Sequence, residues 1–462
     1  MQTGGGYMSK EYKYQPIDVT EANLYNEYFP YEEIPKIVMN NKLIPLNLPE
    51  KIWITDTTFR DGQQSMSSFT VRQILKLYDY LHEIDNNMGI IRQSEFFLYS
   101  ARDRETVRKC QERGYEFPEI TSWIRADEKD FELVKKMEIK ETGMLMSCSD
   151  YHIFKKLGLN RREAMEKYIT VAKKALDAGI TPRCHLEDIT RADFYGFVVP
   201  LVKNINELGK EANIQVKFRA CDTLGLGLPY GGVELPRSIP AIISGLHEEC
   251  QVPSKALEWH GHNDYCNVVS NSTSAWLYGA ASINTTLLGI GERTGNSPLE
   301  AMLVEYAQLK GQRGIRLELI REVCEYFSRE FDYTIDAKRP FVGSEFNMTK
   351  AGIHADGILK YEPIYNSFDT KKILNRPVVI KVNQSSGLAG ITAWINSYYN
   401  LESHNKINKR DLRVQSIKNW IDNEYECGRN TDITSKELVN LTNRYFSVEL
   451  DNLEMDQLDE VN

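Results

Sequence analysis

The sequence predicts an α/β fold, a (β/α)8 TIM barrel followed by an irregular linker region and a mainly helical C-terminal region. Three observations predict this fold. Short apolar runs alternate with amphipathic stretches from residue 51 to residue 325, the runs number eight, and the alternation stops after them. Eight strand–helix repeats over about 250 residues are typical of a closed barrel rather than an open sheet.

The eight apolar runs are the predicted strands, and the stretches between them carry helix signals. The strands are predicted at residues 52–58, 89–97, 118–124, 142–147, 181–187, 214–223, 256–262 and 281–290. Thr70 with Gln73, and Asn160 with Glu163, have the spacing of capping boxes at helix starts. Gly179 marks the end of the second of these helices. Their apolar stripes predict helices that pack on the outside of the barrel.

The chain divides into four predicted regions. Residues 1–50 form an N-terminal extension, 51–325 the catalytic barrel, 326–390 a linker or subdomain, and 391–462 a helical C-terminal region. Pro340, Pro363 and Pro377 interrupt the third region, whereas the fourth is charged and has a helical pattern. No second set of β-rich repeats follows the barrel, so we do not expect an appended effector-binding domain.

Composition excludes several classes of function. The net charge is -9 and the pI is about 5.6, which argues against a nucleic-acid partner because phosphate binding needs a basic face. No stretch approaches the ~18 apolar residues of a membrane span, and the N-terminus lacks a secretory apolar segment. Eight widely spaced cysteines without a C-x-x-C pair are typical of reduced thiols. We therefore expect a cytoplasmic protein with no membrane partner.

A candidate metal site combines two distant segments. In EWHGHNDYCN, residues 258–267, His260 and His262 are two residues apart and point to the same side of a strand. Arg60 and Asp61 follow the first predicted strand, and barrel chemistry occurs at the carboxyl ends of strands. One carboxylate and two imidazoles suit a divalent ion (Mn²⁺, Co²⁺, Mg²⁺ or Zn²⁺) that polarises a carbonyl. The alternative is a surface ion pair beside two core histidines.

Six motifs carry a resemblance to a known family. In chain order they are DTTFRDGQQ, HLEDITR, CDTLG, WHGHND, GIGERTGN and AGIHADG, between residues 55 and 357. Together they resemble the metal-dependent Claisen-condensing barrel enzymes, the family of 2-isopropylmalate and homocitrate synthases. Longer stretches such as RQSEFFLYS and SDYHIFKKLGL are most similar to its citrate-forming branch. The resemblance implies condensation of acetyl-CoA with oxaloacetate and water to give citrate and CoA, or, as the alternative, condensation with another 2-oxo acid.

The resemblance also implies roles for individual residues. The metal ligands implied are Asp61, His260 and His262. The catalytic residues implied are Arg60, which stabilises an oxyanion, Glu187, and His354, which helps to remove a proton from the acetyl methyl group. The 2-oxo acid is implied to contact Gln64, His152 and Thr223. The acetyl-CoA loop is implied to comprise Gly289, Gly291, Glu292, Arg293 and Asn296, the last of which lies by the metal.

Two departures from the family pattern bear on the substrate. Gln63 stands where the family commonly has a glutamate, and His185 stands where relatives that take branched oxo acids have a serine. Strand alternation puts Arg183, His185 and Glu187 on one face of the fifth strand, and Arg219 in phase with Thr223 on the sixth. Inward donors at Arg183, His185 and Arg219 suit a second carboxylate, as oxaloacetate has. The alternative is that the two arginines pair with barrel acids below the site.

Other polar residues have two interpretations each. Glu95, at the end of the second strand, orients Arg60 or lines the pocket. His152 contacts the substrate or only starts a helix. Tyr361 and Tyr365 follow His354 and could complete the base from a partner subunit. The resemblance implies a homodimer in which residues 326–390 supply the contacts.

Two rival classes of function remain at the level of sequence. A lyase or a biotin-dependent carboxyltransferase shares this barrel, but the chain has no barrel lysine in a convincing position to carry CO₂ and no biotinyl segment. A non-catalytic module that binds metal or CoA is the second rival. The joint presence of Arg60, Asp61, Glu187, His354 and the histidine pair argues against it.

Overall fold

Eight parallel strands close into a barrel in the computed structural model, which describes residues 12–29, 37–40, 42–312, 314–399, 401 and 405–446. Each strand pairs with the next, and the eighth pairs with the first. The strands are β1 Trp53–Asp56, β2 Ile91–Phe96, β3 Glu119–Arg125, β4 Glu141–Ser147, β5 Thr181–Glu187, β6 Lys217–Asp222, β7 Leu257–Gly261 and β8 Ser282–Thr285. The predicted barrel is confirmed, with each strand inside or within a residue of its predicted range.

Eight helices follow the strands. They are α1 Val71–Asp85, α2 Ala101–Gln111, α3 Glu128–Lys136, α4 Arg161–Asp177, α5 Val199–Glu211, α6 Ile239–Glu248, α7 Val268–Leu277 and α8 Leu299–Lys310. The capping boxes at Thr70 and Asn160 are confirmed by reciprocal hydrogen bonds with Gln73 and Glu163. The capping side chains satisfy backbone N–H groups that have no partner within the helix.

The strand register places the predicted site residues in two layers of the barrel interior. Arg219 pairs with His185 on one side and with Glu258 on the other, and these three residues form the lower layer. Cys221 pairs with Glu187 and with His260, and these three residues form the upper layer at the carboxyl ends of the strands. The intervening residues, among them Leu186, Ala220 and Trp259, are apolar and fully buried. Strand alternation therefore separates a polar interior from an apolar outer face that meets the helices.

Residues ahead of the barrel run along its outer surface. We call residues 12–29 the N-terminal strap. Its Tyr14 exchanges hydrogen bonds with the Asn204 side chain of α5, and Ile17 N donates to Gly196 O at 2.9 Å. Further on, Asn47 N donates to Leu277 O at the end of α7. Backbone and side-chain hydrogen bonds thus fix this segment to the barrel.

The chain separates into two compact units, Met1–Arg316 and Leu317–Asn462. The second unit contains α9 Ile320–Phe331, α10 Gly352–Lys360, α11 Thr370–Leu374, α12 Leu388–Tyr398, α13 Leu412–Glu426 and α14 Ser435–Phe446. Two short parallel strands, β9 Met348–Thr349 and β10 Val379–Ile380, lie between them. The helical C-terminal region is confirmed, and its core is built from Ile391, Ile395, Val414, Ile417 and Leu438.

Two expectations from composition can be compared with the structure. All eight cysteines lie in the described residues and are free, and six of them are buried. Across the described ranges, no helix is both long enough and apolar enough to span a bilayer.

Candidate metal and substrate site

The turn after β1 places Arg60 and Asp61 at the mouth of the barrel. A short π-helical turn, Thr58–Gly62, begins two residues after the strand ends. Its start is fixed by buried Asp56, whose carboxylate accepts from Thr58 N at 3.2 Å and from Thr58 Oγ1 at 2.5 Å. Gly62 ends the turn where a Cβ would lie 2.9 Å from Ile290 Cγ1, so a larger residue would displace the neighbouring loop.

Three predicted metal ligands converge at one point. His260 Nε2 lies 3.3 Å from His262 Nε2 and 3.7 Å from Asp61 Oδ2, and His262 Nε2 lies 3.8 Å from the same oxygen. All three residues are buried. A point equidistant from the three atoms lies about 2.1 Å from each, which is a usual metal–ligand bond length for Zn²⁺ or Mg²⁺. The geometry therefore fits a divalent ion.

The protonation of these groups also fits a metal. Burial lowers the pKa of His260 to about 3 and lowers the pKa of His262, so both imidazoles are neutral at neutral pH. Burial alone would raise the pKa of Asp61, but Arg60 and the two histidines together lower it to about 2. An ionised carboxylate and two neutral imidazoles are the forms that ligate metals.

Buried polar atoms without a partner surround the same point. Asp61 Oδ2 and Asn296 Oδ1 are buried and make no hydrogen bond within the described residues. A buried oxygen or nitrogen without a partner is costly, so an ion or a bound oxygen ligand is the simplest explanation for this arrangement. Asn296 is joined to His262 through a backbone bridge, which agrees with its implied place beside the metal.

Arg60 is held beside the cluster by two carboxylates. Its Nε donates to Glu95 Oε1 at 2.9 Å and its NH1 donates to Asp61 Oδ1 at 2.9 Å, while its guanidinium lies 5.5 Å from the Trp123 ring centroid. Burial opposes ionisation of Glu95, but the surrounding cations hold its pKa well below the usual range. Of the two interpretations of Glu95, the structure shows the one in which it orients Arg60.

The lower layer contains His185 and Arg219, both fully buried. Arg219 NH1 donates to Glu95 Oε1 at 3.0 Å, and its NH2 lies 3.0 Å from Glu258 Oε1. His185 Nε2 lies 3.5 Å from Glu95 Oε2 and makes no hydrogen bond, and Arg219 Nε also has no partner in the described residues. Burial and the charge of Arg219 hold the pKa of His185 well below its usual value. His185 Nε2 and Arg219 Nε are therefore available in this layer to bind a further group.

Arg183 lies lower still in the barrel. Its NH2 group donates to Gln93 and Glu141, and its Nε lies 3.4 Å from Glu258 Oε2. The side chain is fully buried among these acids. The role of Arg183 stays a prediction: acids surround it as they surround Arg219, and it lies one layer farther below the metal cluster.

Glu187 lies at the carboxyl end of β5 among several donors. His152 Nδ1 lies 3.0 Å from its Oε2, Lys156 Nζ donates to its Oε1 at 3.0 Å, and Ser147 Oγ also donates to it. Burial would raise the pKa of Glu187, but His152 and Lys156 lower it to about 2. Thr223 Oγ1, from the neighbouring strand end, accepts from Asp188 N at 2.9 Å.

Two residues of the site, Asn284 and Lys156, are not among those predicted from the sequence. Asn284 Oδ1 lies 2.7 Å from His260 Nδ1, and Lys156 binds Glu187. A polar residue inside the apolar run ASINTTLLGI is the only sequence signal for Asn284. Lys156 has no such signal, because it is one of two adjacent lysines after His152.

The loop after β8 is folded tightly around its glycines. A Cβ on Gly295, whose φ is +87°, would lie 2.1 Å from Gly289 O, and one on Gly291 would lie 2.4 Å from Asn296 Nδ2. Arg293 donates to Asp264 and to Thr223 O at 2.6 Å, so its charge is balanced and it joins three strand ends. Two other predicted residues, Gln64 and Glu292, are exposed.

His354 belongs to the second unit. It is an exposed residue of α10, and its ring centroid lies 4.4 Å from that of Tyr365 in the same chain. Gly357 permits this contact, because a Cβ there would lie 2.5 Å from the Tyr365 ring. Tyr361 is exposed. The roles of these residues remain predictions.

Comparison with known proteins gives one family. Residues 51–326 match the HMGL-like family model. The chain is 61% identical over 434 residues to a citrate (Re)-synthase of Clostridium kluyveri, covering 94% of this chain and 96% of that protein. It is 48% identical to a citrate (Re)-synthase of Syntrophus aciditrophicus over 94% of this chain and 69% of that protein.

A more distant relative and a solved structure also match the chain. A 2-phosphinomethylmalate synthase of Streptomyces hygroscopicus is 37% identical over 93% of this chain and 98% of that protein. The crystal structure of hydroxymethylglutaryl-CoA lyase from Pseudomonas aeruginosa matches with a TM-score of 0.50 and 18% identity, over 62% of this chain and 95% of that one. At that identity the structural match supports the barrel fold alone.

Proposed function

We propose, on the premise that this chain belongs to the HMGL-like family and within it to the citrate (Re)-synthases, that it condenses acetyl-CoA with oxaloacetate and water to give citrate and CoA. The observation that carries the proposal is 61% identity over 94% of the chain. In the reaction, the acetyl methyl carbon bonds to the keto carbon of oxaloacetate, and water cleaves the thioester. The enzyme is an acyltransferase.

The metal would be held by Asp61, His260 and His262. When bound, a divalent ion at this position supplies a Lewis acid next to the keto and carboxylate oxygens of oxaloacetate. Mn²⁺, Co²⁺, Mg²⁺ and Zn²⁺ all accept such a ligand set. The fit of the three ligand atoms to one centre supports the site.

Arg60 and His354 carry the charge and proton movements of the proposed reaction. Arg60 is already held at the cluster by Glu95 and Asp61, so it can stabilise the new alkoxide without reorganising. The imidazole of His354 helps to take the proton from the acetyl methyl group. The contact between His354 and Tyr365 supports a role for Tyr365 in orienting that imidazole within the same chain.

The remaining site residues bind the two substrates. Glu187, Thr223, His152 and Gln64 contact the oxo acid near its keto group, and His185 with Arg219 faces its second carboxylate. The unused donors of the buried lower layer support that assignment, since a charged group there gains charge-assisted hydrogen bonds. The glycine-rich loop from Gly289 to Asn296 brings backbone close to acetyl-CoA. Arg293 donates to Asp264 and to Thr223 O, which supports a role for it in holding this loop in place for acetyl-CoA.

The alternative within the family is another 2-oxo acid, with homocitrate or isopropylmalate as the product. A branched side chain would face Arg219 and His185, both of which are polar and fully buried. Burying a polar group against an apolar one is costly, which favours a dicarboxylate. We also infer a cytoplasmic homodimer with contacts in residues 326–390, which molar-mass measurement by light scattering tests.

The function is tested by product analysis. Incubation with labelled oxaloacetate and acetyl-CoA should give citrate and CoA, and a chelator should stop the reaction until metal is restored. The His262→Ala variant should lose about a thousandfold or more of kcat, because one ligand and the position of the metal are lost. His247→Ala, a matched control on α6 outside the barrel, should retain activity. Turnover of His262→Ala in metal-free buffer at the wild-type rate contradicts the proposal.

A further inference from the structure

The N-terminal strap contacts the turn that follows β4. Residues 12–29 precede the segment matched by the family model, which starts at residue 51. Asn23 N donates to Asp150 Oδ2 at 2.8 Å, and Tyr151 Oη donates to Leu24 O at 2.7 Å. Two consecutive residues of the barrel loop are therefore fixed by consecutive residues of the strap.

A buried arginine strengthens this junction. Arg161, the first residue of α4, binds both oxygens of Asp150 at 2.9 and 2.8 Å. The same guanidinium donates to the strap at Ile17 O and to Asp193. Arg161 is 1% exposed, so its charge depends on these partners. The strap, the β4 loop and α4 thus meet in one buried ion-pair network.

The opposite side of the same turn faces the active-site acid. The π-helical turn Tyr151–Lys156 carries His152 and Lys156, which contact the two oxygens of Glu187 at 3.0 Å each. The Arg191 guanidinium packs over the Tyr151 ring at 4.0 Å and binds Asp188, the neighbour of Glu187. This turn therefore links the strap to Glu187 through His152 and Lys156, and to Asp188 through Tyr151 and Arg191.

We propose that the strap is part of the machinery that orients the oxo acid: by holding Asp150 and Tyr151, it sets His152 and Lys156 against Glu187. Tyr151 is a positioning residue in this proposal, because its hydroxyl binds the strap at Leu24 O and acts on the oxo acid only through the turn. The inference rests on the proposed function in one respect, the assignment of Glu187 to the oxo acid.

The kinetic test compares two single substitutions in the full chain. Tyr151→Phe removes the hydrogen bond to Leu24 O and keeps the ring on which Arg191 packs. We expect KM for oxaloacetate to rise about fivefold, the effect of one hydrogen bond, with KM for acetyl-CoA unchanged. Asn204→Ala is the matched control, because it frees the strap at Tyr14 without touching the turn. The control should lower Tm and leave both KM values unchanged.

Hydrogen–deuterium exchange gives a readout that needs no turnover. Amides of residues 151–157 should exchange faster in Tyr151→Phe than in wild type, and at the wild-type rate in Asn204→Ala. If the two variants change exchange and KM alike, or if Tyr151→Phe raises both KM values equally, the strap contributes only stability and the proposal is overturned. Failure of wild type to condense any oxo acid would refute the proposed function, while the exchange comparison still decides whether the strap holds the turn.

Discussion

At the scale of single residues, Asn284 decides which nitrogen of His260 faces the metal cluster. The amide oxygen of Asn284 can only accept, so His260 Nδ1 carries the proton and Nε2 presents a lone pair toward Asp61. The Asn284 amide nitrogen donates to Thr55 O, which fixes the direction of the amide. Such partners of metal-binding histidines tune both ring orientation and ligand basicity.

We expect Asn284→Ala to weaken metal binding by about 10-fold to 100-fold, because His260 loses the partner that fixes its tautomer and ring position. Competition titration with a metallochromic chelator measures the affinity. Asn206→Ala, which removes a side-chain bond to Cys250 O far from the cluster, is the control and should bind metal normally. Equal affinities for Asn284→Ala and wild type would show that Asn284 does not orient His260.

Some residues of the site could be predicted from sequence because their spacing follows strand geometry. His260 and His262 share a face because alternate residues of a strand point the same way. Asn284 and Lys156 could not be predicted, since strand pairing and the course of a loop bring them to His260 and Glu187. The depth of Arg183 in the barrel was also undetermined, because sequence gives the face of a strand on which a side chain lies and not its depth.

At the scale of elements, β4 and β5 pack closely because Gly143 of β4 leaves space for the imidazole of His185 of β5. Gly143 pairs with Arg183 and lies against the ring of His185, where a Cβ would be 2.5 Å from His185 Nε2. The space for an imidazole in the lower layer is thus provided by the neighbouring strand. A glycine inside a strand often marks such a close approach.

We expect Gly143→Ala to destabilise the fold by about 1–3 kcal/mol, because the added methyl group forces His185 to move within a close-packed layer. Urea unfolding followed by circular dichroism measures the change. Gly231→Ala is the control and should change stability little, because within the described residues the one atom near a Cβ there is Tyr278 Oη at 3.8 Å. A Gly143→Ala protein as stable as wild type would mean that the layer has room to rearrange.

The elements themselves were predictable for a local reason. Helix starts at Thr70 and Asn160 depend on side chains three residues apart, and the strands depend on short apolar runs, so both signals lie within a few residues. The π-helical turns Thr58–Gly62 and Tyr151–Lys156 were not predicted. Both carry site residues, and both depend on distant segments. Asp56, which accepts from Thr58 N at the start of the first turn, also accepts from Ser94 Oγ, and the Tyr151 hydroxyl of the second turn donates to Leu24 O.

At the scale of the whole molecule, metal binding and stability are linked. An ion that binds the folded chain and not the unfolded chain raises the free energy of unfolding. Protons compete with the ion only at pH values near the pKa of the ligand groups. Burial lowers the pKa of His260 to about 3 and lowers that of His262, so the folded site stays deprotonated below the usual histidine range.

We expect the rise in Tm produced by saturating Mn²⁺ to persist just below pH 6.5, where ordinary imidazoles become protonated. A folded-state pKa below the usual value means that the unfolded chain takes up the protons first as pH falls, so metal binding to the folded site is unaffected until more acid pH. Differential scanning calorimetry with and without metal measures the rise, and His262→Ala should show none. Loss of the metal effect below pH 6.5 would mean that the histidines titrate normally.

The sequence by itself determined the barrel, the succession of its elements, the candidate metal ligands and the family, because these depend on periodicity and on motifs that are local in the chain. Only the tertiary structure decided the depth of Arg183 and Arg219, the partner of His260, the balanced charge of Arg293 and the contact of the strap with the β4 turn. These depend on side chains far apart in sequence that meet only when the strands close and the extension packs on the barrel.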